Sequence, residues 1–162
     1  MSGGRSASIR AAARPAPGYS GKPLWQKLGL RPRQRVWLRN APAQYWDWCG
    51  FDPAAVKVAG AAERNFDFGH VFVTTRAQLA AEISAAARKL DAGGMLWISW
   101  PKKSSGVTSD LDEDTLRELV LPLGLVDVKV CAVTEIWSGL KFCWRRASRD
   151  AAGPARKPGK SA

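Results

Sequence analysis

One histidine, His70, stands in the 162 residues, so any imidazole acid–base chemistry has to use it. It lies inside the apolar run "FGHVFV", where a core or sheet-face histidine with a partner is expected. No Ser/His/Asp set supports a catalytic triad, and no carboxylate pair has the spacing of an acid and base. The three cysteines, Cys49, Cys131 and Cys143, have no CxxC spacing, which argues against a zinc site and a disulfide framework. They read as reduced, mostly buried thiols of a cytoplasmic protein. Cys131 and Cys143 flank an expected hairpin, but a two-residue Ser138-Gly139 loop puts Cys143 opposite Thr134 and turns Cys131 to the other face. No apolar run approaches the roughly 20 residues of a membrane span, and the start has no signal-peptide core. Internal repeats are absent.

What is abundant is positive charge. The formal net charge is +11. Residues 1–17 carry +3 with no acid, residues 147–162 carry +3, and residues 18–146 carry +5. Both ends are rich in Ala, Gly, Ser and Pro and hold little apolar surface to offset ordering entropy. They are expected to be disordered basic tails that attract nucleic acid without specificity. Residues 18–146 have the size of a single domain.

Along that domain, Pro23 opens a short helix with Leu24 and Leu28 on one face, and Gly29 and Pro32 end it. Arg35 to Arg39 reads as a strand. A second short helix holds Tyr45, Trp46 and Trp48 and closes near Gly50, and Val56 to Val58 forms another short strand. "FDFGHVFVT", Phe66 to Thr74, is a buried strand. Thr75 and Gln78 have capping-box spacing ahead of the apolar stripe Leu79, Ile83, Ala86, Ala87 and Leu90. Gly93-Gly94 is read as that helix's end and Met95 to Trp100 as the next strand. Asp112 caps a helix with Glu113 and Asp114 in its first turn, which accounts for the metal-like acidic cluster there. Val126 to Trp137 and Leu140 to Arg146 form two strands whose apolar faces do not match in a simple register; a bulge and a doubly buried last strand both reconcile them. The order implies an α/β fold: a three-layer Rossmann-like sandwich with a mostly parallel sheet and an antiparallel C-terminal strand pair.

The segment "WPKKSSG" ends the strand at Trp100 in polar residues. Open parallel sheets bind ligands beyond the carboxyl ends of their strands. Lys102 and Lys103 offer charge there, Ser104 and Ser105 offer hydroxyls, and Gly106 permits close backbone approach. Trp100 is placed to line such a pocket, and a helix start follows. These are the features an anionic group requires. The glycine spacing of a P-loop is absent.

"KLGLRPRQRVWLRNAP", "FDFGHVFVTTRAQLAAEISAAARKLDAGGMLWISW" and "LGLVDVKVCAVTEIWSGLKFCWRR" together resemble class I S-adenosylmethionine-dependent methyltransferases, reduced by one strand. More finely, "GYSGKPLWQKLG", "HVFVTTRAQL", "GGMLWISWPKKSSGV", "LPLGLVDVKVCAV" and "WSGLKF" resemble the bacterial family called domain of unknown function 3052 (DUF3052). That resemblance implies a methyltransferase-like Rossmann fold and no established activity. It places Tyr19, Ser20 and Lys22 over the sheet edge and Asn40 at the old cofactor position. This sequence departs from true methyltransferases at "LRNAPAQ", which holds no glycine before Gly50, and Glu63 is a poor candidate for the ribose-binding acid. S-adenosylmethionine is therefore not expected as a cofactor. The expected function is a binding module for an anionic or nucleotide-type ligand. A transferase with an atypical cofactor loop and an interaction domain with nucleic-acid-binding tails are the alternatives.

Overall fold

The strands join in one six-stranded sheet, in the spatial order β2-β1-β3-β4-β6-β5. The computed structural model describes residues 21–60 and 63–146. The two expected tails lie outside the described residues. In chain order the elements are α1 (Leu24–Leu28), β1 (Arg35–Arg39), α2 (Tyr45–Cys49), β2 (Lys57–Val58), β3 (Phe66–Phe72), α3 (Arg76–Lys89), β4 (Leu90–Pro101), α4 (Glu113–Val120), β5 (Leu125–Ala132) and β6 (Trp137–Trp144). β2, β1, β3 and β4 run parallel, and β6 lies antiparallel between β4 and β5. This is the expected Rossmann-like sandwich with its antiparallel C-terminal pair.

Side chains alternate across each strand, so β3 and β4 serve two different layers. Val71, Val73, Leu96, Ile98 and Trp100 face α3 and α4, which bury Leu79, Ile83, Ala86, Leu116 and Val120 against them. Burying each large aliphatic group is worth about 1.5–3 kcal/mol. Phe68, Phe72 and Trp97 face α1 and α2, which contribute Leu24, Leu28, Tyr45 and Cys49. The caps follow the sequence. Thr75 Oγ1 accepts from the Gln78 N–H at 3.1 Å, and Gln78 Oε1 reaches back to the Thr74 N–H at 2.8 Å. Asp112 Oδ1 accepts from the Thr115 N–H at 2.8 Å. Asp110 takes the Arg76 N–H, while Glu113 and Asp114 pair with Arg117.

Two glycine assignments are corrected. Gly93-Gly94 does not end α3. The helix stops at Lys89, and both glycines lie inside β4. A Cβ on Gly94 would stand 3.0 Å from the Phe66 carbonyl oxygen and 3.1 Å from that of Asp67. Glycine there lets β3 come close where its register with β4 shifts between Phe66 and Phe68. Nor is Ser138-Gly139 the hairpin turn. It lies within β6, with Gly139 set against the Trp97 ring and Ser99 Oγ. The turn is made by residues 133–136, where Thr134 Oγ1 accepts from the Ile136 and Trp137 N–H groups. A bulge between Asp127 and Lys129 reconciles the two strand faces. Cys143 therefore faces Val126 rather than Thr134, and none of Cys49, Cys131 and Cys143 forms a disulfide among the described residues.

No helix among the described residues is long and apolar enough to cross a membrane.

Candidate functional site

β1 leads outward to β2 on one side, while β3 lies on the other side and leads to β4. The carboxyl ends of β1 and β3 thus meet at the switch point of the sheet, where open α/β folds bind ligands. Asn40 ends β1 there with φ 59°, in the left-handed region usually reserved for glycine. Its Nδ2 donates to the Phe72 carbonyl at 3.1 Å, which ties the β1 and β3 ends together. Arg39 turns to the opposite layer and forms a bidentate pair with Glu82 of α3, at 2.9 and 3.0 Å.

The lysine–serine loop beside this point is more ordered by its own contacts than its composition suggests. The Lys102 N–H donates to the Ile136 carbonyl at 2.7 Å, joining the loop to the β5–β6 turn. Ser105 Oγ donates to the Lys102 carbonyl and accepts from the Val107 N–H, so its hydroxyl serves the turn. Gly106 sits at φ 81° with open space where a Cβ would be. Ser104 and Lys103 are exposed. The two lysines act on different neighbours. The backbone and side chain of Thr115, and more weakly the Lys103 charge, hold the Asp112 carboxyl below its usual range. Lys102 acts on Cys131. Burial pushes that thiol up, while Lys27, Lys129 and Lys102 together pull it down. Lys129 and Lys27 meet over the middle of the sheet, where Lys129 is level with Lys141 and Trp97, while Lys102 marks a separate patch at the carboxyl end of β4.

Next to that patch is an aromatic cluster. Trp137 lies edge-on to Phe72 at 5.0 Å between ring centroids, and Trp48 of α2 approaches the same ring at 6.5 Å. Both indoles are partly exposed, whereas Phe72 is buried. Trp100 and Trp137 both end strands where the sequence suggests pocket-lining tryptophans; Trp100 is only 6% exposed and packs into the α3–α4 layer. Lys22 is exposed ahead of α1; Tyr19 and Ser20 lie outside the described residues. Glu63 accepts from the Gly60 N–H, and β2 stops level with Val36, well before the end of β1. Lys27, Lys129 and Trp48 were missed from sequence. Lys129 Nζ donates to the Lys27 carbonyl across 102 positions, a separation over which no local pattern carries a signal.

Beneath the cluster runs a buried polar chain. Cys49 hydrogen-bonds Tyr45, the Tyr45 hydroxyl lies 2.8 Å from His70 Nδ1, and His70 Nε2 lies 2.8 Å from Ser99 Oγ. Burial pulls His70 down to about 3 and pushes Cys49 up to about 12. The Tyr45 phenol is also raised, first by burial and then by Cys49. A neutral imidazole has one donor and one acceptor nitrogen, so Tyr45 and Ser99 take opposite roles toward it. The ring is a structural connector, sealed from the edge.

The sheet order, the two helical layers and the antiparallel insertion define a Rossmann-like α/β domain of the methyltransferase-like kind. No family model and no curated protein matches the chain. Among solved structures, fibrillarin of Aeropyrum pernix with natively bound S-adenosyl-L-methionine is similar at 14% identity and TM-score 0.49, over 82% of this chain and 73% of that one. A DhpI complex with S-adenosylhomocysteine is similar at 12% identity and TM-score 0.48, over 89% of this chain and 88% of that one. A LepI variant, in complex with S-adenosylhomocysteine and a substrate analogue, matches at 12% identity and TM-score 0.47; the match covers 75% of this chain and 39% of LepI. The expectation against S-adenosylmethionine is corrected on this finding, since these similar structures hold that cofactor or its product.

Proposed function

We propose that the carboxyl edge of the sheet binds an anionic, nucleotide-type ligand. The observation that carries this reading is the polar loop after β4 at the carboxyl edge, where Lys102 is tied to the β5–β6 turn next to the half-exposed Trp137, which packs on Phe72 at the end of β3. Lys102 suits a phosphate or carboxylate, and Trp137 and Trp48 offer ring faces to a base. Asn40 offers an amide oxygen where the two strand ends meet. Lys103, which stands exposed, contributes little.

The test is a thermal-shift series on the full chain with ATP, pyrophosphate, S-adenosylmethionine and S-adenosylhomocysteine. A ligand at 100 times its dissociation constant adds about 2.7 kcal/mol to stability. Lys102→Ala is expected to remove a charge-assisted hydrogen bond worth about 1.5–3 kcal/mol, weakening binding at least tenfold. Lys103→Ala is expected to leave affinity unchanged. Stability of both variants should stay within about 0.5 kcal/mol of the parent. If none of the four probes shifts the melting temperature, or Lys102→Ala binds as tightly as the parent, the reading fails.

A transferase using a nucleotide-type donor at the same edge is the second reading, favoured by the left-handed Asn40 at the strand end. It requires product formation from the bound donor. His70 is not its base, being buried and neutral.

A further inference from the structure

At the opposite, amino-terminal edge of the sheet lies a concavity of about 550 Å³ lined by Arg33, Arg35, Lys57, Asp67 and residues 54–56. From it we infer that this edge is a second anion site, built for the phosphodiester backbone of a nucleic-acid duplex.

Its charges are predominantly positive, three cations to one carboxylate. Arg39, Arg76 and Arg117 are each held in ion pairs elsewhere on the molecule. Arg33, Arg35 and Lys57 make no ion pair among the described residues. Arg35 and Lys57 are register partners on adjacent strands, which places two like charges side by side at the cost of stability. The one carboxylate in the lining, Asp67, accepts the Arg35 N–H at 2.8 Å through Oδ2 and leaves the lining with a net positive charge of two. Like charges set side by side are relieved by a bound polyanion.

Arg33 adds an independent sign. It sits at φ 72°, in the turn that follows Pro32, a backbone position suited to glycine. The turn is held by the Arg33 N–H on the Ala55 carbonyl at 2.7 Å and the Arg31 N–H on Gln34 Oε1 at 2.8 Å. Non-glycine residues kept in that region concentrate at functional sites. Here the strain places a guanidinium, whose planar fork matches phosphate oxygens, on the rim of the concavity.

The lining also selects the kind of ligand. It holds no aromatic ring, so it lacks the stacking platform of a single-strand binder. Small-ligand pockets are mostly apolar with a few polar groups, whereas this lining is dominated by charge. A polyanion touching it through backbone phosphates alone fits both facts.

The experiment is fluorescence anisotropy of the full chain with a duplex DNA oligonucleotide across a salt series. Arg33→Gln/Arg35→Gln/Lys57→Gln is expected to weaken binding more than tenfold and to lower the salt slope by about two to three, since each neutralised phosphate contributes about 0.9. Lys103→Gln removes charge at the far edge and is expected to change the slope by less than one. Arg33→Gly should melt no lower than the parent while binding the duplex more weakly, which separates the charge from the fold. A triple variant that keeps parental affinity and slope overturns the inference, as does a parent that fails to bind the duplex. Loss of binding to phosphatidylserine vesicles with duplex binding intact also overturns it and assigns the surface to a membrane. None of these outcomes depends on Lys102, so this site and the one at the carboxyl edge stand or fall separately.

Discussion

One face of the sheet is covered by α3 and α4, of 14 and eight residues, and what they bury there is entirely apolar. The other is covered by α1 and α2, of five residues each, and holds both of the buried polar side chains among the described residues, His70 and Ser99. Helices of five residues are far too short to be stable alone. They are fastened instead by specific bonds: Trp97 Nε1 to the Leu28 carbonyl at 2.8 Å, and Tyr45 to His70. The contrast separates two ways of covering a sheet. Long amphipathic helices supply area, and short ones depend on directional contacts that must all be met. The partly exposed Trp48 and Trp137 occur on the second face, where cover is thinnest.

Breaking the apolar face should cost most. Leu116→Ala in α4 is expected to destabilise by about 2–5 kcal/mol, with no change in pH dependence, as read from denaturant midpoints. Acid should distinguish the faces next. Burial lowers His70 from 6.5 to about 3 in the fold. The unfolded chain therefore binds more protons between those values, and stability falls as pH drops from about 6.5 toward 3. This histidine's part is fully present above 6.5, and its slope reaches at most about 1.4 kcal/mol per pH unit. His70→Phe should flatten that limb of the profile, whatever it does to stability at neutral pH. An unchanged limb would mean that carboxylates alone set the acid sensitivity.

Ser99→Ala is a finer cut into the same chain. It leaves His70 Nε2 without its partner and should cost about 1–3 kcal/mol. A cost below about 0.5 kcal/mol, within the range of ordinary surface changes, would show that the polar chain is not what fastens α2. The smallest effects belong to Asn40. Asn40→Gly keeps the left-handed turn and loses one partly exposed hydrogen bond, so a change of at most about 1 kcal/mol is expected. Asn40→Ala keeps the Cβ at φ 59° but loses the amide, and should melt lower than Asn40→Gly. Equal melting temperatures would remove the backbone argument for that position.

Much of the fold was legible because its signals are local. Thr75 with Gln78, Asp112 with its acidic first turn, and Gly29 and Gly50 after short apolar stretches all mark helix ends within a few residues of chain. The carboxyl edge was legible in outline, because Pro101 and the polar residues after it end a strand whose direction follows from the crossover rule. Its composition was not. Lys102 is tied through its backbone to the β5–β6 turn while Lys103 stands exposed, and of the two strand-end tryptophans Trp137 reaches the aromatic cluster while Trp100 packs against α3 and α4.

By itself, the sequence determined the strand and helix order, the parallel crossover and most caps, since each depends on periodicity or on groups one turn apart. Only the tertiary structure decided what the glycines and their substitutes do. Gly94 and Gly139 admit a neighbouring strand or side chain rather than turn the chain, while Arg33, Asn40 and Asn65 take the left-handed conformation without being glycine. A missing Cβ looks the same in sequence whether it frees a dihedral or makes room. The choice is made by atoms brought near from distant parts of the chain, such as the Phe66 carbonyl beside Gly94 and the Trp97 ring beside Gly139.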